Sequence, residues 1–68
     1  MREVSIAEDG IRLGQLLKLA GLVGSGADAK SMLASGEVRV NGEVETRRGR
    51  QLHRGDVVEH AGDAVRIG

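Results

Sequence analysis

Arg47, Arg48, Arg50 and Arg54 fall within eight residues, Arg47-Arg48-Gly49-Arg50-Gln51-Leu52-His53-Arg54, with no acid among them. Each guanidinium presents a planar fork of donors that matches a phosphate or a carboxylate, often through two parallel hydrogen bonds. Four of the ten Lys+Arg of this 68-residue chain lie in that stretch, and the rest of the chain carries six against ten Asp+Glu. A formal net charge of zero therefore conceals a local excess of four positive charges. Segregation of this kind suits a surface that meets a polyanion. The opposing reading is a solvated loop whose arginines pair with Glu43, Glu45 or Asp56.

Other chemistries find less in the sequence. There is no cysteine, which removes thiol nucleophiles, disulfides and cysteine-based zinc sites. His53 and His60 are too far apart and too poorly accompanied for the three or four ligands of a zinc site. No serine stands in a nucleophile elbow. Gly24-Ser25-Gly26 lacks the third glycine and the preceding strand of a dinucleotide fingerprint. Asp56 reads as a turn residue in Arg54-Gly55-Asp56 rather than as a catalytic acid. We expect no enzyme activity, no metal and no cofactor. The chain contains no Phe, Trp or Tyr, so it lacks the rings on which many single-strand binders stack bases. No apolar run approaches the ~20 residues of a membrane helix, and the first residues have no apolar signal core. The expected location is cytoplasmic, with no membrane partner.

The elements that would position the arginines follow from periodicity. Residues 3–6 alternate as a short strand, and Ala7-Glu8-Asp9-Gly10 is a turn in which Asp9 is a candidate helix cap. Over 11–20, Leu13, Leu16, Leu17 and Ala20 recur at spacings of three and four, one face of a helix. Gly21 is placed to end it. Ser25 with Asp28 has the spacing of a capping box for a second helix, with Ala29, Met32 and Leu33 on its buried face and Gly36 as its stop. Val38, Val40 and Val44 flank Asn41-Gly42, the strongest short-range hairpin signal, because a type I′ turn needs positive φ at both central residues. Val57-Val58-Glu59-His60 and Ala64-Val65-Arg66-Ile67 read as strands around a turn at Ala61-Gly62-Asp63. The expected fold is α+β in one domain over 1–68. Two short helices pack on one face of a small, mainly antiparallel sheet of three to five strands.

Ser25-Gly26-Ala27-Asp28-Ala29-Lys30, then Gly36-Glu37-Val38-Arg39-Val40-Asn41-Gly42, then Gly55-Asp56 resembles the RNA-binding domain named after small-subunit ribosomal protein S-four, the αL motif. The likeness spans roughly residues 11–60. The compact length and the Ser-Gly-Ala-x-Ala-Lys wording look most like its short stand-alone bacterial members, the YbcJ type. The chain departs from the family at two places. Gly14 stands where many members carry Asp, and Gly26 where many carry Arg, which removes one phosphate-contacting candidate.

The resemblance implies a non-catalytic monomer that binds structured RNA, ribosomal RNA or a ribosomal subunit above all. Its basic face would be made by the helix pair and the hairpin with its following loop. The candidate contacts are Arg12, Lys18 and Lys30 on the helices, with Arg47, Arg48, Arg50 and Arg54 in the basic stretch. The competing class is a protein-interaction module that uses the segregated acidic remainder, which includes Glu3, Glu8, Asp9, Glu37, Glu43, Glu45, Glu59 and Asp63.

Overall fold

The computed structural model describes residues 1–68. Strand β1 (Arg2–Val4) and the two-residue β2 (Ile11–Arg12) precede helices α1 (Leu13–Leu19) and α2 (Gly26–Ala34). Then come β3 (Val38–Val40), β4 (Glu43–Val44), β5 (Gln51–Leu52), β6 (Val57–His60) and β7 (Asp63–Ile67). The main sheet has five strands in the order β1-β7-β6-β3-β4, and β2 pairs with β5 as a separate ribbon. Only β1–β7 is parallel. The expected α+β class and mainly antiparallel sheet are both present.

An all-aliphatic core explains this layering. Leu13, Leu16, Leu17 and Ala20 of the first helical segment are buried, as their spacing predicts, together with Ala29 and Leu33 of α2. They meet Val38, Val40, Val58, Val65 and Ile67 on one sheet face, and Leu52 closes the side. Met32 is only half-buried against this cluster. Twelve buried apolar side chains form a small core, so single truncations at its centre fall in the range of about 2–5 kcal/mol.

Three local expectations change. The first strand is Arg2–Val4 rather than 3–6, because its partner β7 reaches only Ile67, opposite Val4. The first helix begins at Leu13, since Ile11 and Arg12 pair with Leu52 and Gln51. Asp9 is not its cap: Asp9 Oδ1 accepts instead from the Arg54 backbone N–H at 3.2 Å. For α2, Ser25 Oγ accepts from Asp28 N–H at 3.2 Å, which is one half of the expected capping box. Gly21 and Gly36 follow the two helices with φ of 74° and 78°.

The Asn41-Gly42 turn has φ of 52° and 86°, the positive pair that a type I′ hairpin demands. A second such turn joins β6 to β7 at Ala61 (φ 51°) and Gly62 (φ 82°). An alanine there carries strain that glycine does not. Ala61→Gly is therefore expected to raise unfolding stability by about 0.5–1 kcal/mol, read from urea denaturation; a neutral or lowered midpoint would contradict the strain.

Candidate nucleic-acid interface

The basic stretch folds as a turn over residues 47–50 and then enters β5 at Gln51. Arg50 N–H donates to Arg47 O at 3.2 Å, which puts Arg48 and Gly49 at the tip of a four-residue reversal. The turn is attached to the start of α1, where Leu13 N–H donates to Arg50 O and Gly14 N–H to Arg48 O, each at 2.9 Å. Those two amides are free donors in any isolated helix; here the loop carbonyls occupy them. Contact is close because residue 14 is glycine. A Cβ added there would lie 3.3 Å from Arg48 Cβ. The departure at Gly14 therefore lets the arginine turn sit directly on the helix.

Docking the turn opens a cleft of about 260 Å³ lined by Arg12, Gly14, Gln15, Lys18, Gly26, Ala29, Arg48 and Gly49. Three cations and no acid face it. Arg12, Lys18 and Arg48 are all exposed, and none of them is in an ion pair. Gln15 contributes an amide whose Oε1 accepts from Arg12 N–H at 3.2 Å. A Cβ on Gly26 would meet nothing within 4 Å, so the second departure leaves open space in the cleft wall.

The other candidates lie elsewhere. Arg47 and Arg50 converge on Glu45, with Arg47 Nε 2.9 Å from Oε1 and an Arg50 guanidinium nitrogen 3.2 Å from Oε2. This is the carboxylate pairing that the sequence left open as the opposing reading. Arg47 nevertheless keeps its side chain 77% exposed. Arg54 donates to Ile6 O at 3.1 Å and ties the chain before β2 to the chain before β6. Lys30 is exposed on α2, next in sequence to Ala29 of the cleft wall, but does not line the cleft. His53 lies 4.0 Å from Asp9, whose carboxylate also takes the Arg54 backbone N–H, and His60 pairs with Glu37 at 3.2 Å.

Gln15, Gly14 and Gly49 line the cleft and Glu45 braces the turn beside it, although neither a charge excess nor a helix period singles them out as site residues. Glu45 is the one buried charged residue, at 8% exposure. Its carboxyl is held down from the ordinary 4.5 to about 2, chiefly by the hydrogen bond from the Arg47 side chain. A carboxylate with a lowered folded pKa stabilises the fold above its unfolded pKa and loses that contribution as pH falls through the folded value. Stability should therefore decline between about pH 5 and pH 2 by an amount on the order of 1–2 kcal/mol, after allowing for solvent screening at Arg47. Urea titrations against pH would show it. Glu45→Gln should flatten that limb, and an unchanged acid slope would remove Glu45 as its source.

A helix pair packed on a small, mainly antiparallel sheet is the α+β architecture of the αL type. The chain belongs to the S4 domain family, whose match covers residues 4–68. It is 52% identical over 59 residues to the probable ribosome maturation protein RlbA of Bacillus subtilis, covering 87% of this chain and 83% of that one. It is 44% identical over 57 residues to the putative RNA-binding protein YbcJ of Escherichia coli, covering 84% of this chain and 81% of that protein. The solution structure of YbcJ, described as revealing an αL motif involved in RNA binding, superposes with a TM-score of 0.74 at 40% identity. That match covers 98% of this chain and 86% of the other.

Proposed function

We propose that this protein is a non-catalytic RNA-binding domain that takes structured RNA, ribosomal RNA in particular, through the cleft between α1, α2 and the arginine turn. The observation that carries this reading is the gathering of Arg12, Lys18 and Arg48 around one cleft with no acid facing it. Unpaired cations are the groups able to neutralise phosphates and release counterions. The names and the αL description of the relatives support RNA as the polyanion. Without aromatic residues, recognition rests on phosphate contact and on the shape of the folded RNA. Lys30 and the exposed Arg47 flank the cleft cations as secondary contacts.

The protein-module alternative is weakened by the same geometry. Of its acidic residues, Asp9, Glu37, Glu45 and Asp63 are already engaged with internal partners.

Three or four phosphates neutralised predict a slope of log K against log salt of about −2 to −3 by the single-strand rule. Titration of purified total ribosomal RNA at graded salt measures it. A flat slope, or no binding at low salt, overturns the RNA reading.

A further inference from the structure

Glu45 is an acid two residues before the basic stretch, and its placement is specific. Its Oε1 accepts from both the backbone N–H and Nε of Arg47, at 3.1 and 2.9 Å, and its Oε2 accepts from Arg50 at 3.2 Å. Arg47 and Arg50 are the first and last residues of the reversal closed by the Arg50 N–H to Arg47 O bond. One carboxylate thus clamps both corners and leaves the tip residue, Arg48, without an acidic partner. The clamped turn supplies the two carbonyls that receive Leu13 and Gly14 N–H, so its shape is transmitted to the start of α1, with Arg12 just before it in β2 and Lys18 further along the same helix.

We propose that Glu45 is a positioning residue of the RNA site, folding the 45–50 loop so that Arg48 stands over the cleft beside Arg12 and Lys18. This goes beyond the function proposed above and rests on it. The inference has a sign that simple electrostatics does not share. Seen only as a charge, Glu45 repels phosphate and occupies two arginines. Removing it should then tighten RNA binding and steepen the salt slope by up to about 1.4, the equivalent of two freed phosphate contacts. As a positioning residue, its loss should weaken binding although the protein becomes more positive.

Glu45→Gln is the direct test. The glutamine oxygen can still accept from Arg47, but its amide would face the Arg50 guanidinium, donor against donor. We expect faster amide exchange at Leu13 and Gly14 within a retained fold, and RNA affinity about tenfold lower, one charge-assisted contact's worth. Glu45→Asp keeps the charge and shortens the arm. It should also weaken binding, and it keeps the question decidable should the glutamine variant not fold. Purified total ribosomal RNA is the probe, with the wild-type chain measured in parallel. Tighter binding and a steeper slope in Glu45→Gln, or unchanged affinity in Glu45→Asp, overturns the positioning role while leaving RNA binding in place. Absence of wild-type binding overturns both.

Discussion

Lys18→Glu combined with Arg48→Glu is expected to lower RNA affinity by about 100-fold or more while the domain stays folded. The two side chains line the same cleft from different parts of the chain, one in the last turn of α1 and the other at the tip of the arginine turn. Neither is in an ion pair, so replacing them orphans no buried acid. Each loses a charge-assisted contact of about 1.5–3 kcal/mol and adds repulsion, which sums to at least two decades. The fold cost is small: an acid near the C-terminal end of α1 opposes the helix dipole by about 0.3–1 kcal/mol. The opposite sign is expected at Gly26, where the cleft wall has room. Gly26→Arg adds a fourth cation and should tighten binding by a few-fold. Equilibrium binding in the same buffer reads both variants. Full affinity in the double variant would move the interface away from the cleft. The arginines paired with Glu45 make a poorer test, since deleting them leaves a buried carboxylate without its partners.

Asn41→Ala is expected to cost about 2 kcal/mol, much of what a domain of this size has. Asn41 does three things. It occupies a positive φ of 52° in the hairpin, where alanine is strained by roughly 1 kcal/mol. Its Oδ1 accepts from Val57 N–H at 2.9 Å, which bonds the hairpin tip to β6. Its Nδ2 donates to Asp56 Oδ1 at 3.1 Å. Asn41→Gly separates these roles by keeping the backbone and losing both side-chain bonds, and should cost roughly half as much.

Asn41→Asp tests the Asp56 contact through pH. In the wild-type chain the Asp56 carboxyl is held below its usual range, first by the His53 backbone N–H and also by Asn41. Its contribution is present above the unfolded pKa and lost on acidification. A second carboxylate set against Asp56 reverses this. The pair shares a proton and one of its pKa values rises, so that pair stabilises at low pH and is lost as pH rises through the raised value. The variant should be weakest near neutrality and recover toward about pH 4–5, read by thermal melts. A variant that follows the wild-type pH curve would show that the two side chains do not interact.

The Asn41–Asp56 contact also shows how the sequence was legible. Val-Asn-Gly and Gly-Asp lie fifteen residues apart and look like two independent turn signals. In the fold they are one joint, with His53 N–H donating to Asp56 Oδ2 at 2.8 Å.

Periodicity and turn chemistry are local properties, and they determined what depends on local physics. Leucine spacing set the buried face of α1, Ser25 set the start of α2, and Asn41-Gly42 set the hairpin register. The α+β class followed, because two short apolar helix faces need a sheet to cover them. The charge segregation was also in the sequence, and so was the family likeness. Only the folded loop decides between the free and the carboxylate-paired reading of each arginine. Residues 47–50 are nearly alike as text, yet one buried carboxylate takes Arg47 and Arg50 and leaves Arg48 open. Strands β2 and β5 are two residues long, too short to show any period, and exist only because the chain on either side brings them together. The cleft arises from the same long-range closure. It needs Gly14 to let the turn approach, and the β2–α1 segment to hold Arg12 and Lys18 around the same cleft as Arg48. A close approach between distant segments is a matter of geometry in space, and no spacing along the chain encodes it; even between near neighbours, spacing offers the Glu45 pairing without choosing which arginine takes it.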